Sequence, residues 1–233
     1  KPKFWDFKKP NYLAYLLLPL TILIKINILI SNLYPKKKFD KIKSICIGNI
    51  YLGGTGKTPT TLKLYQLLKD KNYNIVNGKK YYSNQQDEYI LLKNKSQVIS
   101  SKNRKEIIKQ ALKKNYELII FDDGLQDRTI DYDLRFVCFD SKNLIGNGFL
   151  IPAGPLREDI NSLRKYDCVI LKNVEKNVDL DEIISKIKNI NPKIEIFHTY
   201  VKIKNIEKFK RSDQYLIFSG IGNSKSFKEI LIK

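Results

Sequence analysis

Apolar runs alternate along this chain with stretches of helical period, and their order sets the expected architecture. The first apolar run is the longest, from Leu13 to Leu33. Its length matches a membrane span. Pro19 interrupts it, and Lys25 and Asn27 sit near its middle, where hydrocarbon would penalise them. The pattern predicts a kinked helix lying at a membrane surface, with a buried core helix as the alternative. After Pro35 the runs shorten. Strands are expected at Ile42–Ile47, Ile75-Val76, Leu118–Phe121, Leu134–Phe139, Val169–Leu171, Ile194–Phe197 and Leu216–Phe218. Helices are expected at Thr58–Lys69, Arg104–Lys113 and Asp181–Ile190. Strands alternating with helices imply βαβ units and a mostly parallel sheet.

The turn after the first of these strands carries the clearest chemistry. Gly53-Gly54-Thr55-Gly56-Lys57-Thr58-Pro59 joins an apolar strand to a helical pattern. Backbone N–H groups in such a turn wrap a polyphosphate, and the helix that follows points its positive end at it. In that reading Gly53, Gly54, Thr55 and Gly56 form the cradle, Lys57 reaches the outer phosphates and Thr58 holds a magnesium ion. Pro59 falls in the first helical turn, where a missing N–H costs nothing. The strict pattern asks for a further glycine at position 51, which here is Tyr51. An ordinary glycine turn is the alternative. The fold class that follows is α/β, a P-loop NTPase-like parallel sheet with flanking helices. The expected division is a membrane-associated region 1–35, a phosphate-loop core 36–198 and the start of a smaller subdomain at 199–233.

Three other segments are candidates for the same site. Asp122-Asp123 ends the apolar strand Leu118–Phe121, and a strand-end Asp completes the magnesium shell in phosphate-loop enzymes. Parallel sheets gather their sites at the carboxyl ends of strands, where both the loop and this pair fall. The stretch Gly146–Glu158 is rich in turn formers and ends in Arg157-Glu158. An arginine there can clamp phosphate oxygens, or form a solvated surface pair. Asp87, after a polar loop, is either a general base for a substrate hydroxyl or a helix cap.

Composition narrows the surroundings. The net charge is +19, from 43 Lys+Arg against 24 Asp+Glu. Part of this is a general richness in lysine. Part is local, since residues 1–47 hold ten Lys against two Asp beside the long apolar run. Trp5, Tyr12, Tyr15 and the flanking lysines suit an anionic membrane surface. No aromatic-basic motif points to nucleic acid. Cys46, Cys138 and Cys168 each lie in an apolar run without metal-ligand spacing, so reduced core thiols are expected. The chain starts at Lys1 and contains no methionine, so a fragment or trimmed product is expected.

Gly48-Asn49 with Gly53–Pro59, Asp87-Glu88, Asp122-Asp123-Gly124-Leu125-Gln126 and Gly146–Glu158 occur here in one order. That order, with Leu163–Asp167 and Gly220–Asn223, resembles the tetraacyldisaccharide 4'-kinases of lipid A synthesis. Ala153–Glu158 is the most specific part, and the likeness covers nearly the whole chain. The resemblance implies a monotopic kinase on the cytoplasmic face of the inner membrane. It would transfer the γ-phosphoryl of ATP to the 4'-hydroxyl of lipid A disaccharide 1-phosphate. It implies Lys57 on the β/γ-phosphates, Thr58 with Asp122 or Asp123 on Mg²⁺, Asp87 as base, and Arg157 and Glu158 as a second-loop pair. Three places depart from it: Asp127 stands where the family has His, Leu125 where it has an aromatic residue, and the family's Ser-Arg-Gly-Tyr after the second strand is poorly kept, with Lys79-Lys80-Tyr81 nearby. Family members continue past the Gly220 turn to a His that partners the catalytic Asp, so slow or absent turnover is expected of this chain. His198 lies upstream of that turn and reads as a strand residue. Competing readings are a membrane-associated GTPase or targeting ATPase, and a non-catalytic nucleotide-binding remnant. The guanine-reading Asn-Lys-x-Asp element is missing, since Asn94-Lys95 is followed by Ser96-Gln97.

Overall fold

A computed structural model describes residues 1–82, 86–172, 180–202, 207, 209–210 and 212–216. Seven parallel strands form its centre, in the order β3-β2-β4-β1-β5-β6-β7. They are β1 (Lys43–Gly48), β2 (Ile75–Lys80), β3 (Val98–Ser101), β4 (Leu118–Asp122), β5 (Leu134–Asp140), β6 (Cys168–Lys172) and β7 (Glu195–Thr199). The central residues of β1, β2, β4, β5 and β6 are buried on both faces, as parallel strands sandwiched by helices must be, while β7 at the edge is largely exposed. Alternate side chains separate into two cores. Cys46, Val76, Ile119, Phe121, Val137 and Leu171 belong to one face. Ile45, Ile47, Ile75, Ile120, Cys138 and Ile170 belong to the other.

Six α-helices accompany the sheet among the described residues: α1 (Tyr12–Leu17), α2 (Thr21–Leu33), α3 (Lys57–Asp70), α4 (Gln86–Lys95), α5 (Arg104–Lys113) and α6 (Asp181–Ile190). α3 covers one face of β1, β2 and β4, and α5 packs against β2 and β3. Asn103 caps α5, its side chain accepting from Lys105 N at 2.8 Å. Ile107, Ile108 and Ala111 on the buried face of α5 enter the first core. The expected strands and helices appear within a residue or two at most ends, and β2 runs four residues further than its two apolar positions suggest. β3 carries too few apolar residues for a period to show, and in α4 the apolar residues Tyr89–Leu92 are consecutive and mark no helical face. The expected strand over 216–218, apart from Leu216, and the Gly220–Asn223 turn lie outside the described residues.

The topology reverses where it matters. β1 continues through α3 to β2, skipping a place that β4 later fills. β4 then connects to β5 on the opposite side of β1. The carboxyl ends of β1 and β4 therefore border a crevice at the switch point, the usual ligand position in open α/β sheets.

The Leu13–Leu33 run is not a core helix. A short 3-10 turn, Leu18–Leu20, bears Pro19 and separates α1 from α2. Leu16, Leu23, Leu29 and Leu33 are exposed, Leu33 at 83 %. The span Tyr12–Leu33 is long and apolar enough to cross a membrane by length and composition. The three cysteines are free and buried, as expected, and burial pushes the Cys138 thiol up to about 12.

Candidate active site

The phosphate loop leaves β1 at Gly48 and enters α3 at Lys57. Gly56 precedes the helix at φ +85°, a conformation that strains any residue bearing a Cβ. A Cβ there would also collide with the Lys172 side chain, which crosses from the end of β6. Asn49 braces the loop from inside: its Nδ2 donates to Tyr51 O and to Gly53 O at 3.1 Å. Lys57 Nζ donates to Asn49 Oδ1 at 3.4 Å. The Thr55 hydroxyl is buried without a hydrogen-bond partner, and a Cβ on Gly54 would enter open space.

Parallel register brings the second half of the site to this loop. β1 and β2 pair with β4 so that Ile47 and Lys79 flank Asp122. Asp122 is 1 % exposed and accepts from Thr58 Oγ1 at 3.0 Å, from Thr61 Oγ1 at 3.4 Å and from Lys79 Nζ at 2.8 Å. Lys79 is itself buried and also binds Glu88 at the start of α4. Burial alone would lower the lysine pKa. Asp122 and Glu88 overcome that and hold it above its ordinary value.

Asp123 has a different environment from its neighbour. Its backbone turns to φ +60°, out of the strand, and its N–H donates to Ile47 O at 2.8 Å. The carboxylate lies 3.5 Å from Lys57 Nζ and 3.2 Å from Arg157 Nη1. Burial would raise its pKa, but Lys57, Arg157, Lys79 and Arg104 together hold it below the usual carboxylate range. Arg157 also donates to Gln126 Oε1 at 3.2 Å, and its backbone N–H donates to Ile50 O at 2.7 Å. Glu158 points inward. It accepts from Tyr166 Oη at 3.1 Å and from Gln126 Nε2 at 3.3 Å, and pairs with Arg128 at 2.9 Å. That places it as a brace behind Gln126 and Arg157.

The structure thus brings together Gly53–Thr58, Asp122, Asp123, Arg157 and Glu158. Asp87 lies in the first turn of α4, exposed, one residue from the Glu88 that meets Lys79. His198 is exposed on β7, a strand residue as expected. Asp127 is held by Arg104 Nη1 at 2.9 Å and by Thr129, and burial fails to lift its pKa against them. Sequence reasoning did not single out Lys79, Arg104 or Arg128 as site residues. Their signal is only register and tertiary contact, although a lysine standing at a strand end opposite an aspartate is a usable hint.

No group of three or more His, Cys, Asp or Glu is placed to hold a metal among the described residues. Magnesium does not need one, since it keeps waters and phosphate oxygens and takes only one or two protein oxygens. Thr58 and Asp122, already in contact, fit that requirement.

Comparison with known proteins gives one family. The family model for tetraacyldisaccharide-1-P 4'-kinase matches residues 13–233. A tetraacyldisaccharide 4'-kinase of Pelagibacter ubique is 47 % identical over 99 % of this chain and 73 % of its own length. One of Rickettsia akari is 35 % identical over 97 % of this chain and 72 % of its own length. Among solved structures, LpxK from Aquifex aeolicus in complex with ATP superposes with a TM-score of 0.59 at 21 % identity, covering 90 % of this chain and 86 % of that one. At that identity the superposition speaks to the fold.

Proposed function

This chain belongs to the tetraacyldisaccharide-1-P 4'-kinase family, and from that premise we propose how its crevice works and where the molecule resides. The reaction is transfer of the γ-phosphoryl of ATP to the 4'-hydroxyl of a tetraacyldisaccharide 1-phosphate in lipid A synthesis. Such transfers need little covalent chemistry from the protein. Positioning and charge neutralisation provide most of the rate.

Lys57 sits at the helix entry, 3.5 Å from Asp123, where its charge can move onto the β/γ-phosphate oxygens of a nucleotide in the loop. Thr58 and Asp122 would hold Mg²⁺. Bound there, the ion would neutralise charge building on the transferring phosphoryl group. Asp123 orients Lys57 and Arg157, and Arg157 offers its guanidinium to phosphate oxygens. Glu158 keeps Gln126 in place behind them. Asp87, exposed in the first turn of α4 beside the Glu88 that meets Lys79, accepts the proton of the sugar hydroxyl. The α1–α2 segment lies in the cytoplasmic leaflet of the inner membrane with its flanking lysines on anionic headgroups, beside an acceptor that is itself a lipid.

The single observation that carries this reading is the Thr58–Asp122 contact of 3.0 Å, which joins phosphate loop and strand end in one site. The test is transfer of label from γ-labelled ATP to a tetraacyl disaccharide monophosphate in detergent, by the chain extended at its carboxyl end. Mg²⁺-dependent lipid labelling is expected. It should fall roughly a thousandfold in Lys57→Ala, the size expected for a lost transition-state charge, and about a hundredfold or more in Asp87→Ala. ATP hydrolysis without lipid product would contradict the assignment.

A further inference from the structure

The residues ahead of the apolar helix are joined to both halves of the site. The short helical turn Lys3–Asp6 precedes α1, and Trp5 on it is buried. Its indole N–H donates to Pro152 O at 3.0 Å, and its carbonyl accepts from Asn147 N at 3.0 Å. Asn147 in turn donates from Nδ2 to Ala153 O at 3.0 Å. Gly146 stands at φ +57° against Trp5, close enough that a Cβ would overlap the Trp5 carbonyl. Further along the chain, Tyr15 of α1 meets Phe149 edge-on, ring centroids 5.7 Å apart. Trp5 is therefore seated in the 146–158 loop, and that loop ends in Arg157.

The next residue reaches the phosphate loop. Asp6 accepts a hydrogen bond from the Tyr51 hydroxyl. Tyr51 is 2 % exposed and stands at the position where a strict phosphate-loop pattern has its first glycine. It bridges to Leu156 in antiparallel fashion, and Leu52 N donates to Pro155 O at 2.8 Å. Tyr51 also packs under Gly53, 3.1 Å from where a Cβ on that glycine would be. One side chain thus ties three pieces together: the segment before the membrane helix, the phosphate loop and the arginine-bearing loop. A glycine at position 51 would leave this junction without a filler.

We propose that Trp5, Asp6 and Tyr51 are positioning residues for phosphoryl transfer, fixing the phosphate loop and the Arg157 loop to the base of the membrane segment. They touch no reacting atom and act through Gly53 and Arg157. The proposal rests on the kinase reading given above. It implies that the segment before α1 contributes to turnover and nucleotide affinity, not only to contact with lipid.

The test compares Tyr51→Phe, Asp6→Asn, the double variant and Trp5→Phe with the unaltered protein. Three quantities are read: kcat with the lipid acceptor in detergent, KM for each substrate, and Kd for a fluorescent ATP analogue. Tyr51→Phe and Asp6→Asn should each lower kcat about tenfold and weaken nucleotide binding several-fold. KM for the lipid, binding to anionic vesicles and the unfolding midpoint should stay within twofold or a degree or two of the unaltered protein. The double variant should be no worse than Tyr51→Phe alone, since Asp6→Asn only takes the charge from the acceptor of the hydrogen bond that Tyr51→Phe abolishes. Trp5→Phe loses the indole donor but keeps most of the packing. Its effect should fall on kcat more than on nucleotide affinity, because it acts through Arg157. Unaltered kcat and nucleotide Kd in the single variants would overturn the proposal, as would a loss confined to lipid KM and vesicle binding. If the unaltered protein, extended at its carboxyl end, labels no lipid, the kinase reading fails instead, and the nucleotide Kd series still decides whether the coupling exists.

Discussion

The crevice at the ends of β1 and β4 and the α1–α2 segment invert each other. The crevice buries charge: Lys79, Asp122 and Glu158 are each no more than 2 % exposed. The helical segment exposes hydrocarbon: Leu16 is 73 % exposed and Leu23 67 %. Each would be unfavourable for an isolated domain in water. Buried charges survive only when paired and hydrogen-bonded, and large exposed apolar patches signal a surface that meets something other than water. On the function proposed above, both exceptions to the inside-outside rule mark a binding surface, one for a phosphorylated ligand and the other for lipid.

The sharpest way to break this comparison is to remove one partner inside the crevice. In Lys79→Met, Asp122 loses its 2.8 Å cation while remaining buried. We expect a loss of about 3 kcal/mol or more in unfolding free energy by urea titration. A loss below roughly 1 kcal/mol would mean that the pair is solvated like a surface bridge.

On the other side, Leu23→Glu with Leu29→Glu should leave urea stability unchanged, since both side chains are exposed. Co-flotation with anionic vesicles should drop several-fold, because a charge in the apolar region costs about 2.5 to 3.5 kcal/mol at the centre of a membrane helix and less near its surface. Vesicle binding that persists would place the contact elsewhere, and loss of fold stability would mean that these leucines pack inside.

The smallest effect concerns pH. The Asp123 carboxyl is held below its ordinary value, so its contribution to stability is complete above the unfolded value of about 3.9 and lost as pH falls through the lower folded value. The stability gap between the unaltered protein and Asp123→Asn should therefore be constant near neutrality and narrow below about pH 4. Urea midpoints at pH 7 and pH 3 measure it. A gap that widens in acid would contradict the assigned network.

How much of this was readable beforehand depends on distance along the chain. The phosphate loop, the Asp122-Asp123 strand end and the Arg157-Glu158 loop each carry a local signal of backbone need or strand termination. The long apolar run also declared itself, although only the fold excludes a core role for it. The unreadable parts are contacts across register. Nothing local pairs Lys79 with Asp122, because the pairing comes from β2 lying beside β4. Nothing local distinguishes Asp122 from Asp123. The strand's end does that, leaving Asp122 against Thr58 while a left-handed backbone turns Asp123 toward Lys57 and Arg157. Tyr51 looked like a flaw in a glycine motif, and its buried hydroxyl shows that it is a junction instead. β3 was missed because Val98 and Ile99 are too few to set a period.

The most direct measurement is ATP affinity with and without Mg²⁺, in the unaltered protein, Thr58→Ala and Asp122→Asn. If Thr58 and Asp122 form one metal-holding pair in the nucleotide crevice, Mg²⁺ should tighten ATP about tenfold or more in the unaltered protein and hardly at all in either variant. An undiminished Mg²⁺ effect in both variants would show that nucleotide and metal are held elsewhere in the molecule.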